Sequence, residues 1–356
     1  MNTIAIEMER LRDLNSGLGQ YCLHLGRALA MPPLPHSTQF KCYLPASLAG
    51  LLGASFDYQL TKVWHKWTGV PTGATLWHCT HQDSAYFPAN RKTAVVMTIH
   101  DLSFLDRSDY SARRKKFKTH QLQNKINRCQ GLVFISEFVK NIVQEHLVIP
   151  DVMPSRVIYN GVSVAETMGE GMVPAKQPYL FSIGMHPKKN YSVALPILLL
   201  HPEYQWRIAG RNHKGYQREL QNEADEMGVG DRLVFMGEVT EAEKWHAYHN
   251  CAALIFPSLS EGFGLPVLEA MAFGKPVFLS DRGSLPEIGG EEAYYFTRFD
   301  PEHIQKVFSE SMLNYENDAE KKDRMMKYAA TFTWKNAANE YLKFYEEIAT
   351  HIKHLN

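Results

Sequence analysis

Two glutamates, Glu261 and Glu269, flank the start of a predicted helix in the second half of the chain. Pro266 is typical of the first turn of a helix, while Gly262 and Gly264 would let a ligand approach the backbone of the preceding turn. The first amides of a helix lack partners within the helix and lie at the positive end of its dipole, so they can bind an anion. The two acids beside this anion site suit sugar hydroxyls, such as the vicinal pair of a ribose. A diphosphate joined to two sugars therefore fits the turn, whereas a capped surface helix would explain the same residues without a ligand.

Two adjacent lysines, Lys188 and Lys189, follow another predicted strand, residues 179–184, which ends at Gly184. Lysines at the turn between a strand and a helix are natural beside a diphosphate. Two solvent-exposed lysines without a ligand would give the same pattern, so this turn by itself leaves both interpretations open.

His100 follows a continuous apolar run, residues 93–99, which is typical of a buried parallel strand. Open α/β sheets bind ligands at the carboxyl ends of their strands, and the run delivers the histidine to such an end. We therefore expect His100 to contact a ligand; a histidine bonded to the backbone is the structural alternative.

Gly17 and Gly19 lie where a first predicted strand, residues 3–7, passes through a polar loop into a helix. Apolar residues such as Tyr21 and Leu25 then recur at helical spacing. A turn of this kind admits a phosphate or a sugar, although two glycines can also serve only to make the turn tight.

The whole chain alternates predicted strands and helices along 356 residues, which is enough for two α/β domains. Its 38 Lys and Arg residues balance its 38 Asp and Glu residues, which argues against nucleic acid as a partner. Five cysteines without a CxxC pair indicate reduced thiols and no structural zinc. Neither a signal peptide nor an apolar run of membrane-spanning length is recognisable, so we expect a cytoplasmic protein.

These features resemble the retaining glycosyltransferases of family 4, also called group 1 glycosyltransferases. Glu261 and Glu269, with seven residues between them, match the E-x7-E signature of that family. Residues 274–277 (Gly-Lys-Pro-Val) and 283–287 (Gly-Ser-Leu-Pro-Glu) match the G-x-P-V and G-x-x-x-E elements that follow it. The similarity is strong over residues 179–290, weaker around residues 98–161, and weakest at residues 40–92.

The family has the GT-B fold, so the resemblance implies two Rossmann-like, doubly wound α/β domains that face each other across a cleft. The expected N-terminal, acceptor-binding domain covers residues 1–165. A linker at residues 166–177 and a nucleotide-sugar-binding domain at residues 178–335 would follow. Residues 336–356 would form a terminal helix that crosses back to the N-terminal domain.

The resemblance also implies roles for the residues that match family motifs. His100 would contact the transferred hexose, Lys189 would stabilise the departing diphosphate, and Glu261 would orient hydroxyls of the donor sugar. The residues expected to bind the nucleotide-sugar donor are Gly17, Gly19, Gly184, Lys188, Val239, Phe263, Gly264, Leu265 and Glu269.

Two positions depart from the family pattern. Ser16 replaces the first glycine of a G-G-x-G loop, and Met185 occupies the position of an arginine that contacts phosphate. Lys188 would compensate for that arginine, or else one phosphate contact is missing. The chain also contains no D-x-D motif to hold a divalent metal. We therefore expect an enzyme without a metal or cofactor, in which lysines and a helix end meet the diphosphate charge.

The implied reaction is transfer of a hexose from a nucleotide-sugar to a glycan or lipid-linked saccharide acceptor. The loop at residues 187–190 (Pro-Lys-Lys-Asn) favours GDP-mannose as the donor, by family association only. Three alternatives remain open: a nucleotide-sugar epimerase of the same fold, a phosphorylase with pyridoxal phosphate, and a non-enzymatic two-domain sugar-binding protein. An epimerase would need acid–base residues around the hexose, where only His100 is recognisable.

A basic run opens another predicted amphipathic helix, and its members are Arg113, Arg114, Lys115, Lys116 and Lys118. Such a run is usually a solvated helix face. The alternative is contact with anionic lipid or with a lipid-diphosphate acceptor, which would place the protein peripherally at the inner face of a membrane.

Overall fold

The computed structural model describes residues 2–31, 38–107, 109–163, 177–213 and 215–355. Two compact units divide the chain. The first contains Met1–Gly161 together with Thr333–Asn356, and the second contains Val162–Phe332. The predicted linker, residues 166–177, lies outside the described residues apart from Gln177.

The first unit is built on a seven-stranded parallel sheet. Its strands are β1 (Asn2–Glu7), β2 (Thr38–Leu44), β3 (Asp57–Leu60), β4 (Leu76–Cys79), β5 (Ala94–Ile99), β6 (Gly131–Phe134) and β7 (Ser155–Val157). Their order across the sheet is β3-β2-β1-β4-β5-β6-β7. The order reverses between β1 and β4, which is where ligands bind at the carboxyl edge of such sheets.

Before the chain passes into the second unit, the described residues of the first unit form the helices α1 (Gly17–Leu29), α2 (His65–Thr68), α3 (Ala112–Ile126) and α4 (Glu137–His146). The Ser16 side chain caps α1 by accepting a hydrogen bond from the Gly19 amide at 3.0 Å. A Cβ added to Gly19 would lie 2.0 Å from the Asp13 carbonyl oxygen. Glycine is therefore required there for the close approach of the preceding loop.

The second unit is built on a six-stranded parallel sheet. Its strands are β8 (Tyr179–Ile183), β9 (Gln205–Ala209), β10 (Leu233–Gly237), β11 (Ala253–Phe256), β12 (Val277–Ser280) and β13 (Tyr294–Phe296). Their order is β10-β9-β8-β11-β12-β13, so the reversal lies between β8 and β11. The loops that leave these two strands therefore meet at the ligand-binding edge.

The helices of the second unit are α5 (Pro196–Leu200), α6 (Tyr216–Glu226), α7 (Glu241–Asn250), α8 (Leu265–Met271), α9 (Leu285–Gly289), α10 (Pro301–Asn317) and α11 (Lys321–Ala329). Residues 283–287 do not complete the sheet but turn into α9, since Pro286 lacks the amide that a strand needs. Residues 304–328 are helical except at residues 318–320, where the Asp318 carboxylate accepts a hydrogen bond from the Glu320 amide and interrupts the helical ladder.

The last helix, α12 (Trp334–Leu355), belongs to the first unit. Its apolar stripe includes Tyr341, Phe344 and Ile348, which are buried in the same core as Ile4 and Ile6 of β1. Burying each such side chain contributes on the order of 1.5–3 kcal/mol, so this stripe holds the helix against the sheet.

Candidate functional site

The loops that follow β8 and β11, residues 184–190 and 257–264, lie side by side in the second unit. The Leu259 amide donates a hydrogen bond to the Lys188 carbonyl oxygen at 2.8 Å and joins the two loops. They leave the sheet on either side of its reversal point, where the strands splay and a crevice is expected. The charged residues of both loops are therefore brought to one place by the strand order.

Lys189 and Glu261 form a buried ion pair between these loops. The Lys189 ammonium lies 2.8 Å from Glu261 Oε1, and the two side chains are 11% and 12% exposed. The Ser258 hydroxyl donates to the same carboxylate oxygen at 2.5 Å. Lys188, which is 38% exposed, places its ammonium 3.9 Å from Glu261 Oε2. Two ammonium groups thus face one carboxylate, which leaves an excess of positive charge for an anionic ligand.

Burial and charge act in opposite directions on this pair. Burial alone would raise the pKa of Glu261, but the ammonium groups of Lys189 and Lys188 outweigh it, so its pKa lies below the ordinary value. Burial lowers the pKa of Lys189, and Glu261 opposes that shift. Each partner therefore favours the charged form of the other, against the effect of burial.

Local backbone geometry places the Lys189 side chain. Gly184 has φ +95°, and a Cβ added there would lie 2.8 Å from the Lys189 Cε atom. A short 3-10 turn, Pro187–Lys189, follows, and His186 Nδ1 caps it by accepting from the Lys188 amide at 3.1 Å. The ammonium then lies over the Phe256 ring, 4.0 Å from its centroid. Gly184 thus makes room for the lysine stem at the carboxyl end of β8.

The segment after β12 supports the Glu261 loop from behind. The Ser284 amide donates to the Glu261 carbonyl oxygen at 3.1 Å, and the Ser284 hydroxyl lies 2.8 Å from the Phe263 carbonyl oxygen. Gly283 has φ +64°, and a Cβ added there would lie 2.9 Å from the Glu261 amide nitrogen and carbonyl oxygen. The G-x-x-x-E segment therefore holds the loop that carries Glu261, a role that the sequence did not indicate.

Phe263, Gly264 and Leu265 lead from this loop into α8. The Phe263 side chain is buried against Phe332, with ring centroids 6.3 Å apart. Gly264 has φ +99°, and a Cβ added there would lie 2.9 Å from Leu285 Cδ2. Since the side chain of Phe263 is part of the core, the backbone of Phe263 and Gly264 is the part of these two residues that is suited to meet a ligand.

Glu269, on α8, is held by two residues of α7. Lys244 Nζ lies 3.2 Å from Glu269 Oε1, and the Tyr248 hydroxyl donates to Glu269 Oε2 at 2.7 Å. Lys244 also contacts Glu241 at 3.0 Å. A ribose at this carboxylate would have to share it with both partners, so its role in binding a ribose stays a prediction. No sequence signal links α7 to α8, and these contacts arise only from packing.

Val239 follows β10 and is half-buried. Beside it, the Glu238 carboxylate forms an ion pair with Arg211, which follows β9. Arg211 lies at the carboxyl end of β9, which neighbours β8, whereas Val239 follows β10 on the far side of β9. Contact of Val239 with a nucleotide base stays a prediction.

His100 lies in the first unit, directly after β5, and its ring is buried. Its Nε2 atom is 2.8 Å from the Thr80 carbonyl oxygen, which can only accept, so Nε2 carries the proton. Burial lowers the pKa of His100 to about 4. The Tyr21 ring packs edge-on against it with centroids 4.5 Å apart. His100 is therefore a neutral, fixed imidazole whose Nδ1 atom can act as an acceptor.

Gly17 and Gly19 lie at the start of α1 in the same unit as His100. A Cβ added to Gly17 would meet nothing within 4 Å, whereas Gly19 is required by the loop contact described above. The structure therefore explains Gly19 by packing, and it leaves space beside Gly17 for a ligand.

The structure thus brings four predicted residues of the second unit together: Gly184, Lys188, Lys189 and Glu261. Glu269 is bound instead to a separate pair of side chains. Within the described ranges, no group of three or more His, Cys, Asp or Glu side chains is arranged to hold a metal ion.

Two protein-family models match the chain. The model described as "Glycosyltransferase Family 4" matches residues 16–166, and the model described as "Glycosyl transferases group 1" matches residues 166–332. Together they extend over both units. The second match contains the Lys189–Glu261 pair and the supporting segment at Gly283.

Individual relatives are more distant. The O-antigen chain mannosyltransferase B of Escherichia coli is 22% identical over 283 residues, which is 75% of this chain and 73% of that protein. The serotype-specific mannosyltransferase WbdA of Escherichia coli is 27% identical over 281 residues, which is 73% of this chain but 34% of the much longer relative. The crystal structure of Anabaena HepE in complex with UDP-glucose has a TM-score of 0.71 at 14% identity, covering 98% of this chain and all of that one.

Proposed function

The chain belongs to glycosyltransferase family 4 with the GT-B fold, and we propose that it transfers mannose from GDP-mannose to a glycan or lipid-linked saccharide. The observation that carries the proposal is the Lys189–Glu261 pair, with Lys188 beside it, at the reversal point of the second sheet. The family assigns glycosyl transfer to the chain, while the donor and the acceptor are the proposal.

Charge accounts for the way in which this site would serve the reaction. Cleavage of the bond between sugar and diphosphate leaves an additional negative charge on the departing nucleotide. The Lys189 and Lys188 ammonium groups, together with the backbone amides of residues 263–265 at the entry to α8, would stabilise that charge. Because Glu261 offsets only one of the two lysines, the site keeps a net positive charge before the donor binds.

The other predicted residues would act on the sugar. Glu261 would accept hydrogen bonds from donor hydroxyls with the carboxylate oxygen that is not bonded to Lys189. His100 would accept a hexose hydroxyl at Nδ1, since its Nε2 proton is already donated to Thr80. Neither role requires a metal ion, so we propose that turnover is metal-independent and that a chelator such as EDTA leaves the rate unchanged.

Mannose is supported by the two relatives named above, both described as mannosyltransferases. UDP-glucose, seen with the structurally similar HepE, is the competing donor. A panel of GDP-mannose, UDP-glucose, ADP-glucose and TDP-glucose, scored for slow donor hydrolysis, distinguishes them. We expect GDP-mannose to be hydrolysed fastest. Faster release of UDP than of GDP would overturn the choice of donor, and hydrolysis of none would count against the site.

The basic helix α3 supports a further element of the proposal, contact with an anionic membrane. Arg113 and Lys116 are exposed on α3, and Phe117, which follows Lys116, is 58% exposed. Lys115 instead donates to the Leu105 carbonyl oxygen, so not every basic residue of the run faces solvent. An apolar ring among exposed cations is suited to the interface of an anionic bilayer. None of the helices described combines the length and apolar character that a membrane span requires.

Vesicle co-sedimentation tests this contact. We expect binding to vesicles that contain phosphatidylglycerol to exceed binding to pure phosphatidylcholine, and to fall severalfold when Arg113 and Lys116 are both replaced by Gln. The double variant Arg91→Gln/Lys92→Gln, which removes two exposed cations elsewhere in the unit, is the control. Equal binding to both vesicle types, or equal losses in both variants, would remove the membrane from the proposal.

A further inference from the structure

Gln82 holds the backbone at His100 by two hydrogen bonds. Its Oε1 atom accepts from the His100 amide at 3.1 Å, and its Nε2 atom donates to the Asp101 carbonyl oxygen at 3.0 Å. Gln82 is 9% exposed and His100 is 7% exposed, so both bonds are shielded from water. An amide side chain fits this place in only one orientation, because the His100 N–H must meet an oxygen and the Asp101 carbonyl must meet a donor.

These two hydrogen bonds lie just beyond the end of the pairing between β4 and β5. Pairing between β4 and β5 ends with Cys79 opposite Met97. The Gln82 amide then supplies the donor and acceptor that a further ladder step would have provided. Two residues earlier, the Thr80 carbonyl accepts from the His100 ring. Residues 80–82 therefore hold His100 at its main chain and at its imidazole.

Gln82 is itself anchored from α3. The Lys125 ammonium donates to the Gln82 carbonyl oxygen at 2.8 Å, and burial lowers the pKa of this lysine. Removing a buried hydrogen-bond partner leaves the other group unsatisfied, which is unfavourable. The Gln82 backbone is therefore held independently of the bonds that its side chain makes.

We propose that Gln82 is a positioning residue for glycosyl transfer, which fixes His100 against the hexose through its two backbone hydrogen bonds. The proposal rests on the function assigned above, because it takes His100 as the residue that contacts the sugar. Gln82 does not touch the substrate and acts only through the placement of His100.

The test compares Gln82→Met with Gln130→Met. Gln130 makes a similar amide bond to the same strand at its opposite end, where its Oε1 accepts from the Val95 amide at 2.8 Å. Both changes keep the side-chain length and remove hydrogen bonds to β5 or its extension. Lys125→Met is a second variant, which loosens the Gln82 backbone while leaving its side chain intact.

We expect Gln82→Met to lower kcat for donor hydrolysis about tenfold to a hundredfold, since small misplacements of a contacting group have effects of that size. Lys125→Met should lower it less, and Gln130→Met should stay within about twofold of the parent. The Kd for GDP, measured by calorimetry, should not change in any variant, because the diphosphate residues lie in the second unit. Unchanged kcat in Gln82→Met, or equal losses in Gln82→Met and Gln130→Met, overturns the proposal.

A readout without turnover separates this proposal from the proposed function. The His100 imidazole, assigned by NMR with a His100→Asn variant, should titrate with a pKa near 4 in the parent protein and higher in Gln82→Met, as the ring gains contact with water. If neither the parent protein nor any variant hydrolyses a nucleotide-sugar, a higher His100 pKa in Gln82→Met is by itself enough to support the positioning of His100 by Gln82. An unchanged titration overturns it.

Discussion

Lys189 and Glu261 are 72 residues apart in the chain and 2.8 Å apart in the structure. Each is nearly buried, so neither charge has water to stabilise it if the other is removed. The ion pair therefore has two roles. It stabilises the contact between the two loops, and it holds an ammonium group where it can bind a diphosphate. These contributions can be separated by changing the two partners singly and together.

Lys189→Met is expected to lower donor affinity and turnover together, and to lower the free energy of unfolding by up to about 3–5 kcal/mol, because the nearly buried Glu261 then keeps only the more distant Lys188 ammonium as a counter-charge. Adding Glu261→Gln should recover much of the stability, since no buried charge then remains, without restoring turnover. Urea unfolding and donor hydrolysis measure the two effects. Full activity in Lys189→Met would remove the lysine from the mechanism.

At the scale of elements, loops are placed by the strands that they leave and by the segments behind them. The turn before α9 holds the Glu261 loop through Ser284 and through close contact with Gly283. Its contribution to function is indirect, since neither residue needs to meet a ligand. A substitution that keeps the local charge but pushes this turn away should therefore affect turnover.

Gly283→Ala is expected to lower turnover, because the added Cβ would displace the Glu261 backbone from 2.9 Å. Gly228→Ala is the matched control, since Gly228 also has a positive φ, +71°, but an added Cβ there meets nothing within 4 Å. Both variants should lose about 1–2 kcal/mol of stability through backbone strain. Only Gly283→Ala should lose activity; equal rates in the two variants would show that the turn is not coupled to the site.

At the scale of the whole molecule, the first unit buries several titratable groups that change its stability with pH. Burial lowers the pKa values of His78, His81 and His100 to about 3, 2 and 4. Burial also raises the pKa of Glu7 to about 7. Between about pH 4.5 and 6.5 the three histidines bind protons only when the chain unfolds, whereas Glu7 is already protonated in the folded state and releases its proton on unfolding.

The balance between these groups predicts acid destabilisation. Between about pH 6 and 5, three histidines gain protons on unfolding and one glutamate loses its proton, so unfolding takes up about two protons. The free energy of unfolding should therefore fall by about 2–3 kcal/mol per unit as pH decreases in this window. Urea unfolding at several pH values measures the slope. The Glu7→Gln variant should show a steeper fall, and a slope of zero in the parent protein would contradict the burial of the three histidines.

The alternation of apolar runs and glycine-bearing turns was enough to predict two α/β domains and the loops that carry Lys189, Glu261 and His100. Such local signals depend on a few neighbouring residues, and strand ends are therefore readable from the chain. The pairing of Lys189 with Glu261 depends on strand order, which places β8 beside β11 although 69 residues separate Ile183 from Ala253 along the chain. Three other sets of contacts likewise join distant segments. They are the contacts of Glu269 with α7, those of Ser284 with the Glu261 loop, and those of Gln82 with His100 and Asp101. Only packing of the whole chain decides these contacts, because no single segment contains both partners of any of them.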